Sequence, residues 1–334
     1  MWVYCRHRGN NMNVLLKLTT LGVTALCLSL PAMAQRPNRD LLPLSAYALE
    51  GYEAVEVTEA LTLPAGFAFS RVSGVVIADD GHMIILHRGE DPLLEFDASG
   101  NFVRAFGPRD TWTFAHGLRL DPDGNIWVTD IGTHTVVKMD RAGNTLLTLG
   151  TAGQNGLWDE STGAHIFDQP NDIAFDSQGN FYIAQGHVRG EPRILKFDAN
   201  ARFVSMWGTR GSGDGELAVA HAIEIDGQDR LYVADRENMR VVIYDTDGNT
   251  LNEWHFDAMA CAVYLHDDGT MYMTTGFDGE WAILDADGKV VGSLGRPGDG
   301  LGEFGEGHYM TVDARGDVYI ADAVSSKVHL FRKK

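Results

Sequence analysis

The chain has 334 residues, 44% hydrophobic and 22% charged, with 38 glycines against 10 prolines and a formal net charge of −19. That much apolar side chain excludes a disordered protein and permits a large core. The acidic balance argues against nucleic acid as a partner, because a phosphate backbone calls for compensating cations.

Residues 1–34 read as a secretory signal peptide. Arg6, Arg8 and Lys17 lead, the apolar run LGVTALCLSLPAMA follows, and Ala32 and Ala34 form a small-residue cleavage pattern before Gln35. The run is short for a bilayer, so cleavage is favoured over a membrane span. An exported protein is expected, periplasmic or extracellular, with no span once the leader is gone. Its removal takes away three positive charges and no negative ones, leaving 24 basic against 46 acidic side chains and a net charge of −22. Cys5 and Cys27 leave with it, so only Cys261 remains and no intramolecular disulfide can form. Residues 35–51 read as a linker and 52–334 as one domain.

That domain opens with YEAVEVTEALTLP (52–64), which has the alternation of a strand. Then one pattern is written six times: GVVIADDGHMIILHR (74–88), HGLRLDPDGNIWVTD (116–130), NDIAFDSQGNFYIAQ (171–185), HAIEIDGQDRLYVAD (221–235), CAVYLHDDGTMYMTT (261–275) and HYMTVDARGDVYIAD (308–322). Each is a strand, an Asp/Gly-rich turn and a strand. Most copies continue with a third strand (TVVKMD, RILKFD, RVVIYD, KVHLFR) and several with a fourth (TLLTLG, FVSMWG). Four short strands per repeat predict an all-β fold, a six-bladed β-propeller. A β-sandwich is the nearest alternative, but it has no reason to repeat one side-chain code. The sixth copy stops after three strands, so the 52–64 segment is expected to complete blade six and close the ring. A closed ring needs no partner, and a monomer is expected.

In a propeller the first strand of each blade lines the central channel. The start of strand one and the end of strand two then share one face. The first column reads Gly74, His116, Asn171, His221, Cys261, His308. Histidines on blades two, four and six should converge, and three neutral imidazoles with an open side suit a catalytic zinc. Iron, copper and nickel also accept imidazole, and a hydrogen-bonded channel plug is the structural alternative. Cys261 is left outside the metal shell as a small buried thiol. The column ending strand two supplies Arg88 and Arg236, on blades one and four. Each suits a substrate carboxylate, or else an interblade salt bridge such as Arg236 with Glu237 or Asp235. Asp130, Asp235 and Asp322 recur with the repeat, which favours backbone capping over metal ligation.

The entry loops are unequal. TAGQNGLWDESTGAHIFDQP (151–170) is the longest and carries Trp158, His165 and Phe167, which suggests a rim or lid. The Gly-rich GTRGSGDGEL and GRPGDGLGEF have no helix after them, so they do not read as phosphate loops.

The strings LHRGED, AHGLRLDPDGNIWVTDIGTHTVVKMD, FDQPNDIAFDSQGNFYIAQG, AHAIEIDGQDRLYVADREN and GHYMTVDARGDVYIADA resemble NHL-repeat propellers. More narrowly, they resemble the peptidyl-α-hydroxyglycine α-amidating lyases and their bacterial homologues, over about residues 70 to 331. The resemblance implies a catalytic zinc on the positions of His116, His221 and His308, and substrate arginines at Arg88 and Arg236. Two positions depart from the family. Its catalytic tyrosine falls at His187, which is still suited to act as a base. The aspartate that helps hold a structural calcium falls at Tyr309, which counts against calcium here.

The expected function is a metal-dependent lyase acting on a hydroxylated carbon next to a carboxylate, with an α-hydroxyglycine-like carbinolamide as the specific substrate. The alternatives are a hydrolase or lactonase on the same three-His centre, and a non-catalytic NHL-type binding module of the cell envelope.

Overall fold

The computed structural model describes residues 41–108 and 111–334. The leader assigned to residues 1–34 lies outside the described residues. None of the described helices is long and apolar enough to cross a membrane.

Six four-stranded antiparallel sheets follow one another along the chain. Blade two is typical: Ala115–Leu120, Ile126–Asp130, Thr135–Met139 and Thr145–Leu149 pair in order from channel to rim. The innermost strands of the other blades are Val72–Ile77, Pro170–Phe175, Ala220–Ile225, Ala262–Leu265 and Gly307–Val312. Blade six takes its outer strand from the N-terminal side, Tyr52–Val55 against Lys327–Lys333, in the register Tyr52↔Lys333 to Val55↔Leu330. Ring closure by an N-terminal strand is thus as expected, although the strand is shorter than 52–64. After Val55 the chain turns through a 3-10 segment, Val57–Glu59, and buries Leu61 under blade one. Residues 44–49, in the stretch read as a linker, dock on blade five: the Ser293 hydroxyl donates to the Leu44 carbonyl at 2.6 Å.

The hairpins close for a local reason. In the first turn of blade two, Asp121 Oδ1 accepts from the amides of Asp123 and Asn125 at 3.1 and 2.8 Å, while Gly124 supplies the left-handed backbone (φ 79°). Blade four repeats the turn around Asp226, with Asp229 itself left-handed (φ 58°). The same aspartates reach an aromatic ring of strand two. Trp127 Nε1 donates to Asp121, and the Tyr182 and Tyr232 hydroxyls donate to Asp176 and Asp226, at 2.9–3.0 Å. One recurring residue therefore closes the turn and satisfies a polar atom within the interblade core.

Candidate metal centre and its mouth

The channel strands of five blades carry a register shift near their start, between Ala115 and Leu118 in blade two, Ala220 and Ala222 in blade four, and Gly307 and Met310 in blade six. The other two lie between Val72 and Gly74 and between Pro170 and Asp172. A bulge re-aims a side chain and releases its backbone from the ladder. Both effects build the site. His116, His221 and His308 turn into the axis and are buried. Their Nδ1 atoms meet main-chain carbonyls of the following blade: Asn171 at 2.9 Å, Cys261 at 2.7 Å and Ser73 at 2.8 Å. Blade one contributes Ser73 to the channel column, not Gly74, because Ser73 holds the bulge position that His116, Asn171 and His221 hold in their own blades.

A hydrogen on each Nδ1 leaves the Nε2 lone pairs facing one another. His308 Nε2 lies 3.2 Å from His116 Nε2, and the buried Nε2 of His221 has no hydrogen-bond partner. One ligand atom from each ring falls within 4.8 Å of the others. Two acceptors facing each other and a third left bare lack only a cation, so the group can hold a metal ion. Burial first, then neighbouring charges, holds all three imidazoles well below their ordinary pKa, which keeps them neutral as ligands must be.

The wall above the triad is His187, its ring 5.0 Å from His116 and 5.6 Å from His221. Burial, then the charges of Arg236 and Arg88, pushes its pKa down to about 3. A neutral His187 offers a lone pair but holds a proton only weakly. Arg88 donates from Nε to the Ala115 carbonyl at 2.9 Å, and its guanidinium lies 3.6 Å above the Phe114 ring. Desolvation lowers its pKa to about 10. Arg236 is 3% exposed and already paired, at 2.7 Å with Glu237 and 3.7 Å with Glu306. The salt-bridge alternative thus describes Arg236, while no acceptor among the described residues takes the fork of Arg88.

Sequence reasoning missed Glu306. It lies two residues before His308, in the one entry loop that brings a carboxylate so close to a channel histidine, and that was the available signal. Asp130, Asp235 and Asp322 are backbone caps: Asp322, for example, accepts from the amides of Gly305, Glu306, Val324 and Ser325. The long loop before blade three is no lid in this structure. Trp158 stacks on His165 and packs with Phe167, Phe197 and Phe203 in the core between blades two and three.

On the side away from the arginines, Tyr309 floors the site, its ring centroid 4.9 Å from that of His308. Its hydroxyl lies 3.0 Å from the His221 carbonyl. Beyond it Arg119 forms a two-pronged pair with Asp172 (3.0 and 2.7 Å) and reaches Glu224 at 3.0 Å. The guanidinium already supplies the positive charge those carboxylates need, so the residues here do not fit a calcium ion.

Six four-stranded blades built on one recurring hairpin make this chain an NHL-repeat β-propeller, with a three-histidine centre in its channel. A family model described as a 6-bladed beta-propeller matches residues 187–283, and the NHL repeat matches 113–139. The chain is similar to peptidyl-glycine alpha-amidating monooxygenase A of Xenopus laevis, 32% identical over 241 residues that cover 62% of this chain and 25% of that protein. It is also similar to a probable peptidyl-alpha-hydroxyglycine alpha-amidating lyase of Caenorhabditis elegans, 30% identical over 51% of this chain and 54% of the relative. The chain thus matches a quarter of the first and about half of the second. Among solved structures, a streptogramin B lyase superposes with a TM-score of 0.59 at 15% identity, covering 85% of this chain and 98% of that one, a likeness of fold alone.

Proposed function

We propose that this protein is an exported, metal-dependent lyase that cleaves the C–N bond at a hydroxylated carbon next to a carboxylate, as in a peptidyl-α-hydroxyglycine. The observation that carries this reading is the buried triad of inward-facing Nε2 atoms beneath Arg88, whose fork ends meet no acceptor among the described residues. Similarity to amidating lyases supports it.

His116, His221 and His308 would hold the ion, and zinc is the first choice for three imidazoles with an open side. Such an ion supplies Lewis acidity that lowers the pKa of a substrate hydroxyl. Arg88 orients the substrate through its carboxylate. His187, neutral and at the wall, takes the hydroxyl proton and passes it to the departing amide nitrogen. The two positive charges that oppose protonation of its ring favour that onward transfer. As the proton leaves oxygen, a C=O bond forms and the C–N bond breaks with its electron pair going to nitrogen. The products are a primary amide and glyoxylate, and atoms and charge balance without a further reactant. Tyr309 closes the channel behind the site, so substrate enters from the arginine side.

The test is metal analysis and glyoxylate release on wild type beside the His116→Ala/His221→Ala/His308→Ala variant. About one metal per chain in wild type, none in the variant, and glyoxylate from wild type alone are expected. Metal with no glyoxylate from any α-hydroxyglycine amide overturns the lyase reading. Export is tested by N-terminal sequencing of the mature protein, with a start at Gln35 expected. A single-chain mass in solution is expected for the closed ring.

A further inference from the structure

We infer that Glu306 sets the substrate class of this site: it selects molecules that present an N–H donor beside a single carboxylate, the donor meeting Glu306 and the carboxylate meeting Arg88. The inference deepens the lyase reading and rests on it for the choice of ligands.

Glu306 is held from its own backbone. Its amide donates to Asp322 Oδ1 at 3.0 Å and its carbonyl accepts from the Ala323 amide at 3.3 Å. The side chain, 13% exposed, is left to reach into the mouth, where Oε1 lies 3.7 Å from Arg236 NH1. On its other edge the same guanidinium gives Nε and NH2 to Glu237 Oε1 at 3.2 and 2.7 Å. Two carboxylates therefore occupy Arg236, and a ligand carboxylate would have to displace one of them. Arg88 differs. Its Nε is on Ala115 and its face on Phe114, and no acceptor among the described residues takes its fork ends.

Among the described residues at the mouth, Arg88 and Arg236 face Glu237 and Glu306. A bare anion gains one guanidinium and meets a carboxylate beside it. A ligand whose carboxylate lies next to an amide N–H gains both partners, because an ionised carboxylate is a strong acceptor and a poor neighbour for a second anion. Specificity of this kind combines an attractive contact with a repulsive one.

The experiment measures binding without turnover. N-acetylglycine and N-acetylsarcosine share the carboxylate and differ by N–H against N–CH3. Titration calorimetry on the metal-loaded mature chain should give N-acetylglycine about tenfold tighter binding or more, the scale of one hydrogen bond to a charged group. Glu306→Met, which has no oxygen acceptor, should bring the ratio of the two within about twofold, and Arg88→Gln should weaken both ligands together. Should Glu306→Met fail to fold, Glu306→Leu serves the same comparison. A preference that persists in the Glu306 variants assigns it to the methyl group's bulk and overturns the inference, as does equal binding of both ligands to wild type. Neither result touches the lyase reading, which stands or falls on glyoxylate release.

Discussion

His116 Nδ1 lies 2.9 Å from the main-chain oxygen of Asn171, which also accepts from the Thr129 hydroxyl at 2.7 Å. This carbonyl fixes the ring that faces His308. A methyl group on Gly117 would lie 2.5 Å from that oxygen and 2.8 Å from Thr129 Oγ1. Gly117→Ala must therefore push the carbonyl aside while leaving all three imidazoles in the sequence. Metal affinity measured by competition with a chelator should fall about 10- to 100-fold, the usual effect of disturbing a ligand's outer partner. Unchanged affinity would mean that Asn171 does not orient His116.

Arg119 is the cation of the channel floor. Arg119→Met would leave Asp172 buried and Glu224 half-buried without it, at a cost of about 3–5 kcal/mol read from urea unfolding. Calcium at millimolar levels should neither raise the melting temperature of wild type nor rescue the variant. A calcium-dependent rise in wild type would contradict the fit drawn above.

Acid should destabilise the metal-free protein. Burial lowers the folded-state pKa of His116, His221 and His308, and that of His187 to about 3. In the unfolded chain such rings titrate near about 6.5. Below that pH the unfolded chain binds protons that the folded chain refuses, so the stabilisation is complete above it and is lost as pH falls. Each ring contributes up to about 1.4 kcal/mol per pH unit. Urea midpoints of chelated wild type should be flat in these terms near neutrality and fall steeply in mild acid. The triple histidine variant should fall less steeply, and equal slopes would refute the assignment.

Ring closure depends on four residues. A chain beginning at Val57 lacks Tyr52–Val55, exposes the edge of Lys327–Lys333, and loses the edge-on contact of Tyr52 with Trp281 at 5.2 Å. Compared with a chain beginning at Gly51, which likewise lacks the segment 44–49 docked on blade five, it should lose about 2–4 kcal/mol and gain a tendency to associate through the open edge. Equal melting temperatures would show that closure adds nothing.

The hairpin code was legible in the sequence because each part of it is local. Alternating side chains, an aspartate two and four residues ahead of the amides it caps, and a residue able to turn left-handed lie within one stretch of chain. Asp121, Asp176, Asp226 and Asp313 carry that code in full, while Ala78 and His266 stand in the aspartate's place in blades one and five. The six hairpins together give six blades, and the recurrence of histidine at His116, His221 and His308 determines which side chains meet. What the sequence could not supply depends on distances between blades. The bulges free the carbonyls that orient the imidazoles. Trp158 and Phe167 turned into the core because a ready apolar seam between two blades outweighed exposure at the mouth. Glu306 met Arg236, and Arg119 met Asp172 and Glu224, from blades far apart in the chain. Such pairings follow from the closed ring, whose geometry brings distant charges together and decides that two carboxylates meet Arg236.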